Sequence, residues 1–227
     1  MSLKLGPSQG YWGLSYHMEE AYLEKNIYFK PIFSPPIAIF SNKYYNELCD
    51  LNHEKVHDYC FIGSINSWYK NRKWVIEFAK KYFTSKSIFI NTDNDPNWVL
   101  LGDFDYSNKN LGYCPKNQQN NQSKNVQYRV IKENLFYFET MCKSKYVLCP
   151  AGDTEWSFRF YETLMCKTLP IVISWHHTYR TKEEAKIKYK YLLVENIEEH
   201  IKKLCDEDYN ILVSENTKIF KTFHMLN

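Results

Sequence analysis

The chain has 227 residues, 44% hydrophobic and 24% charged, which excludes a disordered chain and supplies enough apolar material for one sizeable core or two small ones. Twenty-nine Lys plus Arg against 26 Asp plus Glu leave a net charge of +3, too small a bias to name nucleic acid or an anionic membrane as partner. No apolar run approaches the roughly 18 residues of a membrane span, and the N-terminal Met1-Ser2-Leu3-Lys4-Leu5-Gly6-Pro7 lacks the apolar core of a signal peptide.

Residues 1–54 read as an irregular arm or a reduced lobe, because Pro31, Pro35 and Pro36 exclude a helix interior or a central strand there. From 55 to 227 the pattern becomes regular. A buried strand is expected at 58–63, ending on Gly63. A helix is expected over 71–83, with Trp74, Val75, Phe78, Ala79 and Tyr82 on one face. A strand at 87–91 runs into the turn Thr92-Asp93-Asn94-Asp95-Pro96, and residues 108–125, rich in Asn, Gln and Lys, read as a solvated polar loop. A helix over 126–141, a strand at 145–149, a turn at 150–155, a helix over 156–166 and a strand at 169–173 follow. The Lys-rich segment 182–190 reads as a solvated helix, since Glu183 and Glu184 interrupt its positive charge. A short strand at 191–194 and helices over 196–205 and 209–223 complete the chain.

Strands that alternate with helices specify an α/β, Rossmann-like domain over 55–227, with a mainly parallel sheet covered on both faces. Ligands of such sheets bind beyond the carboxyl ends of the strands. Three loops therefore carry the functional expectations: 63–72, 150–157 and 174–180.

Seven cysteines, Cys49, Cys60, Cys114, Cys142, Cys149, Cys166 and Cys205, form no Cys-x-x-Cys pair. They read as reduced thiols of a cytoplasmic protein, not as a disulfide framework or zinc site. Nineteen Tyr, 14 Phe and 6 Trp, beside abundant Asn, Lys and Ile, fit an AT-rich genome such as that of a giant virus or a protist. The aromatic count by itself therefore assigns no sugar-stacking surface.

The chemistry concentrates in one stretch. The strand at 145–149 delivers the chain to Cys149-Pro150-Ala151-Gly152, where backbone amides at a small, flexible turn can approach an anion. The next helix, opening near Ser157, adds unpaired N–H groups and the positive end of its dipole. That helix is otherwise apolar, so Arg159 and Glu162, three residues apart, either form a structural ion pair or line a polar cleft. A Glu155–Arg159 pair is the other structural arrangement. In the cleft arrangement Arg159 neutralises phosphate through its planar fork and Glu162 accepts hydrogen bonds from ribose hydroxyls.

The run Cys149-Pro150-Ala151-Gly152-Asp153-Thr154, then Ser157, Arg159, Glu162 and Leu169-Pro170-Ile171-Val172-Ile173, resembles the signature of exostosin-type glycosyltransferases over about 30 residues. Phe61-Ile62-Gly63-Ser64 with Arg72 is similar to the first strand, phosphate-side loop and arginine of that family's donor-binding lobe. Glu162 stands where many members have Asp, and Cys166-Lys167-Thr168 replaces the usual Gly or His. The resemblance implies a GT-B-type, inverting transferase that takes a sugar from a nucleoside diphosphate, UDP- or GDP-linked, to a glycan or glycoprotein acceptor. It places the donor among Gly63, Ser64, Arg72, Ala151, Gly152, Thr154, Ser157, Arg159 and Glu162. A two-lobe GT-B enzyme is expected to need roughly 350 residues. An acceptor lobe is then missing, reduced to residues 1–54 or supplied by a partner chain.

Transfer also needs a base, and Asp153, Glu155, Asp93 and His176 are the loop residues open to that role. Asp93-Asn94-Asp95 after a strand has the Asp-x-Asp form with which GT-A transferases hold a divalent ion, although the same run is an ordinary turn sequence. Metal dependence stays open on these residues. His176-His177 do not converge on one metal, being adjacent in sequence. The reading from a different class is a catalytically silent nucleotide- or carbohydrate-binding module, or one subunit of a larger transferase.

Overall fold

Strand β1 (His57–Gly63) sets the architecture through its alternation, Tyr59 and Phe61 on one face and Cys60 and Ile62 on the other, each joining a different buried cluster. A strand with two apolar faces must be covered on both, and this one is. In the computed structural model the described residues are 37, 40, 42–51, 53–65, 72–93, 98–100, 113–115, 135–152, 155–179, 181–199 and 206–225. In chain order they form α1 (Asn42–Cys49), β1, α2 (Lys73–Tyr82), β2 (Ile88–Asn91), β3 (Trp98–Leu100), β4 (Tyr113–Pro115), α3 (Leu135–Cys142), β5 (Ser144–Leu148), α4 (Phe158–Met165), β6 (Leu169–Val172), β7 (Leu192–Leu193) and α5 (Asp206–Phe223).

Five strands make an all-parallel sheet in the order β2-β1-β5-β6-β7, while β3 and β4 form a separate antiparallel pair. The α/β, Rossmann-like expectation holds. Cys60 pairs with Ile88 on one side of β1 and with Val147 on the other. On one face Trp74, Val75 and Phe78 of α2 pack on Tyr59, Phe61, Leu148 and Ile171. On the other, Tyr137, Phe138 and Met141 of α3, Phe160, Tyr161 and Leu164 of α4 and Phe220 of α5 cover Cys60, Ile62, Val147 and Val172. Aromatic edge-to-face contacts dominate this second layer, for example Phe160 to Tyr189 with ring centroids 5.3 Å apart.

The region expected to be an irregular arm or a reduced lobe contributes to the same core where it is described, and includes the helix α1. Phe40 is fully buried, its N–H donates to His224 O at 2.7 Å, and its ring lies 5.3 Å from Phe220 and 6.1 Å from Tyr161. Tyr45 and Leu48 of α1 join the same buried cluster. Residues 1–36 of the expected arm lie outside the described residues.

Several boundaries differ from expectation. The helix expected over 126–141 is described from Leu135, its earlier residues lying outside the described ones. The polar loop 108–125 includes β4, and its remainder lies outside them too, as do residues 200–205 of the expected helix 196–205. The segment 182–190 is no solvated helix. Glu184, in a 3₁₀ turn over Glu184–Lys186, is fully buried and accepts a hydrogen bond from Tyr161 Oη at 2.7 Å. A buried carboxylate needs such partners, and they pin the segment to α4. No helix among the described residues is long and apolar enough to cross a membrane.

Candidate active site

The chain leaves β1 to form β2 on one side and later returns to form β5 on the other, so the connections diverge beyond the carboxyl ends of β1 and β5. Divergence of this kind opens a crevice in parallel α/β sheets. Gly63-Ser64-Ile65 border it on the β1 side and Cys149-Pro150-Ala151-Gly152 on the β5 side.

Arg72, just before α2, ties the two borders together. Its Nε donates to Ala151 O at 2.7 Å and its Nη1 to Ser64 O at 2.8 Å. A planar guanidinium can satisfy two carbonyls from different loops because its donors diverge in one plane. Asp93, at the end of β2, closes the β1 border from the other side, accepting from Ser64 Oγ and from Ile65 N at 2.7 Å.

Arg159 projects from the first turn of α4 to the end of β1. Its Nη2 donates to Ile62 O at 2.7 Å, its guanidinium carbon stands 5.1 Å from the centre of the Phe61 ring, and the side chain remains half-buried. A β-carbon at Gly63 would lie 2.5 Å from Nη2, so glycine is what lets the guanidinium lie against the backbone there. Arg159 Nε also donates to Tyr137 Oη at 3.3 Å, and Tyr137 Oη donates to Glu162 Oε2 at 2.9 Å. Burial, and next the Glu162 carboxylate, hold the Tyr137 phenol well above the ordinary tyrosine range, so it stays a donor. Glu162 is 5% exposed: its carboxylate lies beneath the crevice, on the Tyr137 hydroxyl.

Ser157 is the N-cap of α4 in extended conformation, yet it makes no capping bond and its buried Oγ has no hydrogen-bond partner. The first-turn amides of α4 therefore receive no cap from this side chain. Gly152 N donates to Trp156 O at 3.0 Å and curls the preceding turn toward that helix end. Cys149, beside Thr163 Oγ1 at 3.4 Å, is pushed up to about 12 by burial and carries no thiolate.

Of the residues expected at the site, hydrogen bonds or close packing thus link Gly63, Ser64, Arg72, Ala151, Asp93, Arg159 and Glu162, with Gly152 and Ser157 alongside. Glu155 is exposed in the turn before α4. His176 stands in a 3₁₀ turn over Trp175–Thr178 after β6, where its Nδ1 meets Tyr179 Oη at 3.2 Å. Asp95, Asp153 and Thr154 lie outside the described residues. No group of three or more His, Cys, Asp or Glu among the described residues is arranged to hold a metal ion. The sequence reading missed Tyr137, and it placed Phe61 only as part of the first strand motif, not beside Arg159. Each looks like an ordinary core aromatic, and only the fold brings them to Arg159.

The family model of the exostosin GT47 domain matches residues 55–195, the span from before β1 to just beyond β7. No curated protein matches the chain.

Proposed function

The chain belongs to the exostosin GT47 family of glycosyltransferases, and on that premise we propose that it moves a sugar from a UDP- or GDP-linked donor to a glycan or glycoprotein acceptor, with inversion at the anomeric carbon. The observation that carries this reading is the half-buried Arg159 guanidinium, held against Gly63 at the β1–β5 crevice beside the end of α4 that the Ser157 side chain leaves without a cap. Anion binding needs fixed positive charge and N–H donors that cost no reorganisation, and that combination supplies both.

In an inverting displacement the acceptor oxygen attacks the anomeric carbon from one side as the bond to the diphosphate breaks on the other. The leaving diphosphate gathers negative charge, which Arg159, the Ser157 hydroxyl and the first-turn amides of α4 stabilise. Arg72 also has a positioning role. Its donors to Ala151 O and Ser64 O fix the two walls, so it positions the loops. Glu162 acts through Tyr137, which it orients under Arg159, and its enclosed carboxylate does not favour a direct ribose contact.

A base removes the acceptor proton as the new bond forms. Asp93 is engaged by Ser64 and Ile65 N, which leaves Glu155, Asp153 and His176 for that role. The engagement of Asp93 likewise gives no support to a GT-A-type metal site with Asp95.

Removing the Arg159 side chain deletes charge-assisted bonds worth about 1.5–3 kcal/mol, roughly 10- to 150-fold in affinity. Calorimetric titration of UDP and GDP into wild type and Arg159→Ala tests this, with donor hydrolysis followed in parallel. Equal affinity in both proteins refutes the site. Saturable binding without turnover by wild type makes the chain a binding module rather than a transferase.

A further inference from the structure

Immediately after β6 the chain exposes a group of aromatic rings outside the hydrogen-bonded walls of the crevice. Trp175 is 51% exposed and Ile173, two residues earlier, 42% exposed. Leaving that much apolar surface in water forgoes burial energy, and exposed apolar patches on a folded chain commonly mark recognition surfaces. The patch is also braced. His176 lies against Trp175 with ring centroids 3.7 Å apart and planes 30° apart, and Tyr179 follows at 5.6 Å with the same tilt. His176 Nδ1 meets Tyr179 Oη at 3.2 Å. Ser174 Oγ accepts from His176 N at 3.3 Å and Thr178 Oγ1 donates to Trp175 O at 2.7 Å, which fixes the turn carrying the rings. Such rings lose little conformational freedom when something binds them.

The location narrows the occupant. β6 is the immediate neighbour of β5, with Leu148 beside Ile171 and Cys149 N donating to Ile171 O at 2.8 Å. The chain leaving β6 therefore emerges about one strand spacing, roughly 4.8 Å, from the Pro150-Ala151-Gly152 wall of the crevice. We propose that Trp175, with His176 stacked on it and Tyr179 beside it, forms a stacking platform for a pyranose ring of the acceptor glycan. This inference rests on the donor site proposed above.

The chemistry fits a sugar. The face of an aromatic ring is electron-rich, and the C–H bonds of a pyranose face present the complementary polarity. The imidazole stacked on the indole and the phenol beside it offer their remaining donors and acceptors to ring hydroxyls. A nucleobase is less well served, because the surface is open rather than a two-sided slot that would enclose both faces of a base. The platform gives this lobe its own hold on an acceptor.

The test uses the full chain as wild type, Trp175→Ala and Trp175→Phe, with cellohexaose, xylohexaose and laminarihexaose as probes and UDP and GDP as controls. Tryptophan fluorescence and saturation-transfer NMR read the oligosaccharides, and calorimetry reads the nucleotides. Wild type is expected to bind at least one oligosaccharide, Trp175→Ala to lose fivefold or more, Trp175→Phe to retain most of the affinity, and nucleotide affinity to stay within twofold throughout. Oligosaccharide binding unchanged in Trp175→Ala overturns the proposal, as does wild type that binds none of the three probes. Loss of UDP or GDP affinity in Trp175→Ala also overturns it and assigns the indole to the nucleobase. Trp175-dependent oligosaccharide binding in a wild type that ignores both nucleotides upholds the platform and refutes the donor site instead.

Discussion

Tyr137 does the least visible work at the site, where its hydroxyl joins Arg159 Nε to the buried Glu162 carboxylate. A buried carboxylate is costly when it loses a donor. Tyr137→Phe keeps the ring and its 5.1 Å edge-to-face contact with Phe138 while deleting that donor. We expect a loss of about 1–3 kcal/mol in denaturant unfolding, together with weaker UDP or GDP binding as Arg159 loses its lateral support. Unchanged stability and affinity would show that the hydroxyl carries no load. Arg159 itself was legible in the sequence, since an arginine on a nearly all-apolar helix must be paired or face a cleft. Its support was not: Tyr137 and Ile62 are 22 and 97 residues away in sequence. No local spacing encodes such contacts.

At the scale of elements, α4 is the pivot. Its N-terminal end faces the crevice, six of its eight residues are buried, and its C-terminal turn sets the start of β6. That turn ends with Lys167 at φ 53°, among the described residues the one non-glycine with positive φ. Thr168 N donates to Thr163 O at 3.2 Å and Lys167 N to Leu164 O at 3.1 Å, bonds that close a helix through a left-handed residue. Glycine adopts that conformation without the penalty a β-carbon carries. Lys167→Gly should therefore raise stability by about 0.5–1 kcal/mol, seen as a Tm increase of about 1–4 °C. A lower Tm would mean that the lysine side chain contributes more than its backbone costs. The strands of the sheet were readable from short apolar runs bounded by turn residues, β1 and β6 to within a residue or two. The Lys-rich segment misled because its pattern gives no sign that Glu184 is drawn inward by Tyr161, a tertiary contact overriding local polarity.

For the whole molecule, the parallel order β2-β1-β5-β6-β7 turns separate sequence motifs into one surface. The Gly63 motif and the Cys149–Glu162 motif lie about 90 residues apart, and only their adjacency in the sheet lets Arg72 span both loops and Arg159 rest on β1. The family resemblance could pair those motifs. It could not foresee that Asp93 closes a loop, that Arg72 is a strut, or that Glu162 lies below the crevice, since each depends on which oxygen a side chain reaches first after folding.

The central claim is that a nucleoside diphosphate lies where β1 and β5 end. The most direct test is the crystal structure of the full chain soaked with UDP and, separately, with GDP. The account predicts a phosphate oxygen within hydrogen-bonding distance of the Arg159 guanidinium and of a first-turn amide of α4, with Arg72 still bridging Ala151 O and Ser64 O. A nucleotide bound elsewhere, with Arg159 unmoved on Ile62 O and no anion beside it, would contradict the account.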